Sequence, residues 1–241
     1  MYHESRFAGK EKWHHETPRL FNNKRRCFFV AKIYLIRHGE SIANTKGIYQ
    51  GQTYNTDLSP LGMKQAHAVG KRLKHEQIAA MYVSPLTRTK QTALEIFQYH
   101  DTLPMVTSPA IIETNHGAWE GKSVSYIQKR WPDMYQTWVT HPADIAFPGG
   151  ETFDEIEKRV TRWWDDFVRT VKGTVVVVSH DNIIRILLVH LLHMDGNALW
   201  TFELQPTGIT TIDVVGKTVV VCINDTNHLG GLEANLANHA L

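Results

Sequence analysis

Hydrophobic positions in this chain follow two rhythms. Continuous apolar or β-branched runs over residues 28–36, 78–83 and 174–179 have the length and composition of strands buried on both faces. Elsewhere apolar residues return every three or four positions. Leu61, Ala66, Val69 and Leu73 predict a helix over 61–74, with Ser59-Pro60 as its cap and first residue. Phe153, Ile156, Val160, Trp163, Phe167 and Val171 predict a longer helix, opened by the capping box Thr152-Phe153-Asp154-Glu155. Residues 182–193 are apolar on nearly every side except at Arg185, the pattern of a buried helix. A further helix starts behind Ser84-Pro85, and the strand after it falls within 105–112 and ends at Glu113. Tyr126, Trp131, Tyr135 and Trp138 lie on helical segments broken by Pro132 and Pro142. Residues 207–214 and 218–223, parted by Gly216-Lys217, predict a closing hairpin. Together these elements describe an α/β protein.

Composition adds bounds. At 241 residues and 42% hydrophobic content, the chain suits one large core better than two small ones. No run reaches the roughly 20 apolar residues that span a bilayer, since 183–192 is interrupted by Arg185. Cys27 and Cys222 are the two cysteines, far apart and unable to form a disulfide framework, which points to a reducing compartment. A soluble, cytoplasmic protein with no membrane partner is expected. The formal charge of +2 is uneven: residues 1–32 carry eight Lys and Arg against three Glu, and the remainder 18 against 21 acids. Residues 1–27 therefore read as a basic, solvated extension, and Lys24-Arg25-Arg26 is not taken as a nucleic-acid site. The extension has no apolar core of a secretory signal, and Glu4, Glu11 and Glu16 break the pattern of a transit peptide. His14-His15 lacks further ligands at metal spacing.

Candidate chemistry gathers where strands end. In open parallel sheets ligands bind beyond the carboxyl ends of the strands. The first run closes in Leu35-Ile36-Arg37-His38-Gly39-Glu40-Ser41-Ile42-Ala43-Asn44. Arg37 offers a planar fork of donors for phosphate or carboxylate, His38 a nitrogen free to attack near neutral pH, and Ser41 and Asn44 neutral donors. Residues 46–56, which include Gln50 and Gly51, form a polar loop over this point. The second strand delivers Ser84 and, one helical turn on, Arg88, where free N–H groups favour an anion. The 174–179 run ends in His180. Two strands finishing in histidine are hard to attribute to packing. Taken alone, Arg88 could equally lie on a helix surface, and Glu113 could be an ordinary solvated carboxylate.

The string Arg37-His38-Gly39-Glu40-Ser41 followed by Ala43-Asn44 resembles the signature of the histidine phosphatase superfamily, also called phosphoglycerate-mutase-like. Leu58-Ser59 with Gly62 and Gln65-Ala66, Ser84-Pro85-Leu86 with Arg88-Thr89 and Gln91-Thr92, Glu113 before Gly117-Ala118-Trp119-Glu120-Gly121, and Ser179-His180 with Ile184-Arg185 are similar to further family segments. The resemblance implies a three-layer α/β/α fold with a mostly parallel central sheet and an inserted helical cap at about 114–148, within a catalytic domain over 28–223. It also implies a metal-independent phosphomonoester hydrolase that needs no cofactor and acts on a small phosphorylated metabolite. His38 would be phosphorylated, Arg37, Arg88 and a protonated His180 would hold the phosphoryl group, and Glu113 would be the proton donor. Asn44, Ser41, Gln50, Gly51 and Asp181 would complete the substrate site. Asp181 departs from the glycine that many relatives carry after this histidine, and a carboxylate there repels phosphate unless turned away or paired. His116 stands where many relatives have an aromatic or aliphatic residue. A phosphoglycerate mutase and a non-catalytic phosphate-binding scaffold are the alternatives, self-association is left open, and the tail over 224–241 shows no chemistry.

Overall fold

The computed structural model of the protein describes residues 30–100 and 102–239, so the basic extension over 1–27 lies outside the described residues. Six strands form one sheet in the order β3-β2-β4-β1-β5-β6. They are β1 (Val30–Arg37), β2 (Ile78–Val83), β3 (Met105–Thr107), β4 (Gly173–Ser179), β5 (Ile209–Val215) and β6 (Thr218–Asp225). β1, β4, β2 and β3 pair in parallel, while β5 runs antiparallel to β1 and β6. Parallel strands need crossovers, and these supply the helices α1 (Pro60–Leu73), α2 (Thr87–Phe97), α3 (Val124–Arg130), α4 (Pro132–Thr140) and α5 (Phe153–Thr170), while α6 (Asp181–Leu191) leads from β4 to the antiparallel β5.

Alternation along the central strands explains why their runs are apolar throughout. In β1, Ile33 and Leu35 belong to a core with Ile156, Val160, Trp164, Ile183 and Leu187 of α5 and α6. Tyr34 and Ile36 point the other way, to Val69, Leu73, Ala93 and Ile96 of α1 and α2. Helices cover both faces. This is the three-layer α/β/α architecture implied by the resemblance.

Two predicted details change. The strand expected within 105–112 stops at Thr107, and Pro109–Ile111 forms a 3₁₀ turn instead. Proline has no N–H to continue a ladder, so the chain leaves the sheet before Glu113. On α5, Trp164 takes the core position and is 2% exposed, whereas Trp163 stacks on Phe167 at 4.8 Å beside it. Position 164 lies four residues after Val160 and three before Phe167, directly in the buried stripe.

The helical segments break at Pro132 and Pro142 as expected, and each proline opens the next one: Pro132 begins α4 and Pro142 a 3₁₀ turn, where a missing N–H costs nothing. Trp119, Trp138, Phe147, Tyr49 and His116 lock this segment to the domain through edge-to-face contacts of 4.7–6.3 Å. Among the described residues, no helix is long and apolar enough to cross a membrane.

Candidate active site

Strand register builds the site. Arg37 pairs with Ser179 across β1 and β4, so the next residues, His38 and His180, leave the sheet side by side. Their ring centroids lie 5.3 Å apart, edge to face. Ser84 follows β2 on the other side of β4, and its hydroxyl meets His180 Nε2 at 2.7 Å. Three neighbouring strand ends thus contribute to one cleft.

His38 Nδ1 is 2.6 Å from the Gly39 carbonyl. A carbonyl only accepts, so Nδ1 carries the proton and Nε2 keeps its lone pair. Arg88 Nε donates to that Nε2 at 3.2 Å, and Arg88 Nη2 donates to the Gly51 carbonyl at 3.0 Å. Burial, then the charges of Arg88 and Arg37, lower the His38 pKa well below its ordinary value. The imidazole is neutral.

Both guanidiniums are buried. Arg37 Nη1 donates to the Leu204 carbonyl at 2.5 Å, and Arg37 Nε and Arg88 Nη1 have no hydrogen-bond acceptor. Burial pushes the Arg88 pKa down to about 10, which still leaves it charged. Buried N–H groups without acceptors are costly, and an anion in the cleft would satisfy them.

Glu113 lies 7% exposed, with Oε2 3.9 Å from His180 Nδ1 and Oε1 accepting from the Thr114 N–H at 2.9 Å. Burial raises its pKa to about 7 against the opposing pull of Arg88. At neutral pH it is therefore a carboxyl poised to give or take a proton. Arg159 holds this segment in place, donating to the Ala110 and Ile112 carbonyls at 2.8 and 3.0 Å while clasping Glu151 with its other nitrogens.

Arg37, His38, Asn44, Gln50, Gly51, Glu113, His116, Asp181 and Asn182 line the cleft, whose free volume is about 20 Å³, roughly the room of one water. Larger hollows of about 700 and 380 Å³ lie elsewhere, and the former contains none of these groups. Ser41 stands one layer back. Its N–H and hydroxyl donate to Asn44 Oδ1 at 3.0 and 2.8 Å, orienting the amide. Gly51 has φ +55°, and a Cβ there would fall 1.9 Å from Glu120 Oε1. That carboxylate receives the N–H groups of Gln52, Thr53 and His116 and ties the loop over the cleft to the turn beyond Glu113. Among the described residues, no group of three or more His, Cys, Asp or Glu is arranged to hold a metal ion.

The histidine phosphatase superfamily (branch 1) model matches residues 33–226. The chain belongs to this superfamily. As a histidine phosphatase it is an enzyme of the phosphatase class. It is 35% identical to phosphoserine phosphatase 1 of Hydrogenobacter thermophilus over 83% of this chain and 95% of that protein. It is 33% identical to the metal-independent phosphoserine phosphatase of Arabidopsis thaliana over 67% of this chain and 69% of that one. The solved structure of Bacillus stearothermophilus YhfR superposes with a TM-score of 0.79 at 27% identity, covering 83% of this chain and 99% of that one.

Two features of this histidine phosphatase were not expected. His180 was read as protonated, yet burial and the nearby Arg88 lower its pKa well below the ordinary value. Buried beside this cation, the ring is neutral. The tail also enters the site: His239 Nδ1 sits 3.2 Å from Arg37 Nη2 and its Nε2 3.5 Å from Glu40 Oε2. Burial and Arg37 lower its pKa to about 4, so it meets Arg37 as a neutral acceptor. No periodicity or motif marks position 239; only the tertiary fold brings it beside the first strand end.

Proposed function

We propose that this chain is a phosphomonoester hydrolase that forms a phosphohistidine on His38, needs no metal, and acts on a compact substrate of the phosphoserine type. The observation that carries the reading is the pairing of a neutral His38, its Nε2 free of a proton, with a Glu113 whose pKa is raised to about 7. In the first half-reaction Nε2 attacks phosphorus, the P–O ester bond breaks, and the leaving oxygen takes the Glu113 proton. In the second, Glu113 as carboxylate takes a proton from water, whose oxygen displaces the His38 nitrogen. Arg88 exchanges its contact with His38 for the equatorial oxygens, and Arg37, Asn44 and His180 complete their electrostatic support. A bound dianion favours a protonated His180 during the step, opposing the burial that lowers its pKa.

The polar lining of the cleft supports the substrate class. His116, three residues beyond Glu113, lines it with a buried Nδ1 that has no hydrogen-bond partner, and its Nε2 is 3.3 Å from Asn182 Nδ2. These two side chains are placed to meet the part of the substrate beyond the phosphate. The phosphoserine choice also draws on the names of the two relatives and on the Entamoeba histolytica phosphoserine phosphatase solved with 3-phosphoglyceric acid, 28% identical with a TM-score of 0.72 over 83% of this chain and 99% of that one. A mutase reading has one observation in its favour, 28% identity over 207 residues to a probable phosphoglycerate mutase of Yersinia pestis.

The test is phosphate release from a panel of monoesters with and without chelator, with the stopped protein assayed for acid-labile, base-stable phosphate. Phosphoserine is expected to lead the panel and chelator to change nothing. Isomerisation of 3-phosphoglycerate without phosphate release, or activity lost to chelator and restored by a divalent cation, would overturn the reading.

A further inference from the structure

We propose that Asp181 is a positioning residue, whose carboxylate locks the guanidinium of Arg37 into the orientation that receives phosphate. The inference rests on the reading of Arg37 as a phosphate ligand. Asp181 opens α6 directly after His180, is 4% exposed and lines the cleft. A free carboxylate there would repel a dianion. Both oxygens face guanidinium groups. Oδ1 lies 3.0 Å from Arg37 Nη1 and Oδ2 2.6 Å from Arg185 Nε, one helical turn along α6. Oδ1 makes no hydrogen bond, so Asp181 grips Arg37 by charge and contact alone.

Arg185 is a fixed anchor for this grip. Its Nη1 donates to the Leu199 carbonyl at 3.3 Å and to that of Phe202, and its guanidinium lies 5.2 Å over the Trp200 ring. The backbone over 199–204 therefore holds Arg185 at one end and Arg37 at the other, with Asp181 bridging the two cations. The ring is closed: Arg37, Asp181, Arg185, the 199–204 segment, Arg37. With Nη1 held this way and Nη2 facing His239, the Nε–H of Arg37 is the edge left without an acceptor. Burial alone would raise the Asp181 pKa, yet Arg185 and Arg37 hold it below the ordinary value, so the carboxylate stays ionised. Glycine at this position would leave Arg37 only its carbonyl and imidazole contacts.

Positioning and simple repulsion predict opposite signs. If Asp181 only repelled the substrate, its neutralisation would tighten phosphate binding; if it aims Arg37, neutralisation weakens it. Orthophosphate inhibition constants and steady-state kinetics on phosphoserine should be measured for wild type, Asp181→Asn, Arg185→Met and the double variant. Losing one aligned charge-assisted contact predicts about a tenfold rise in KM and in the phosphate inhibition constant, with kcat within about threefold. The double variant should be no worse than the poorer single one, since both cut the same relay. If Asp181→Asn does not fold, Arg185→Lys, which keeps the charge and loses the fork, should show a smaller rise of about threefold. Unchanged or tighter phosphate binding in the folded variants would overturn the proposal. Wild-type protein that neither binds nor releases phosphate would instead overturn the phosphatase reading, and the positioning role with it.

Discussion

The ends of β1 and β4 present the same side chain to the same cleft, yet they equip it differently. At the end of β1, His38 fixes its proton on Nδ1 against a backbone carbonyl, and a cation approaches its bare Nε2. At the end of β4, His180 has its Nε2 on the Ser84 hydroxyl, and its Nδ1 is open toward Glu113. One ring has a fixed proton position, and the other keeps two nitrogens facing groups that can give or take a proton. In the proposed mechanism the second nitrogen's partner would separate the nucleophile from the stabiliser.

Removing each ring is the strongest way to break the comparison. His38→Ala should lower kcat on the order of 10⁴-fold or more and yield no phosphoprotein, since no other group in the cleft is placed to attack. His180→Ala should lose about 100- to 1,000-fold, the usual cost of one transition-state donor, and still accumulate some acid-labile phosphoprotein. Equal losses, with phosphoprotein absent from both, would erase the distinction.

Glu113 sharpens the contrast because the proposed mechanism has it act on the side of the leaving group. Glu113→Gln is expected to cost about 100-fold or more with phosphoserine, and far less with an aryl phosphate whose oxygen leaves without help. The sign of the pH effect follows from the raised pKa of about 7. The donor form is lost as pH rises through that value, so kcat/KM on phosphoserine should fall above pH 7. A Glu113→Gln profile that keeps this alkaline limb would assign it to another group. The smallest effect is expected at Ser84: Ser84→Ala removes one neutral hydrogen bond from His180 and should cost about fivefold to tenfold, without moving the phosphoprotein's acid lability.

Much of this was open to inspection along the chain. The double apolar alternation of β1 and β4 announced a covered parallel sheet, and Arg37, His38 and His180 stood at the ends of those runs. Arg88 and Glu113 became legible only through neighbouring family-like segments, because a single arginine or glutamate carries no local pattern. Glu120 and Arg159 showed their residue types but not their work, which is to tie loops that are remote in sequence. His239 was invisible. The short reach of β3 was the opposite case, since Pro109 was in view and its missing N–H sets the limit.

By itself the sequence determined the layers of the fold, the polar groups at its strand ends and the chemistry those groups are able to perform. Those properties are local: a period of apolar residues, a cap, a side chain's donors and acceptors. Only the tertiary structure decided which nitrogen of His38 bears a proton, that the Asp181 carboxylate lies between two arginines, and that the tail delivers His239 to Arg37. Burial and charge at distances of 3–5 Å govern these states, and such distances are set by the strand register and helix crossovers that join residues far apart in the chain.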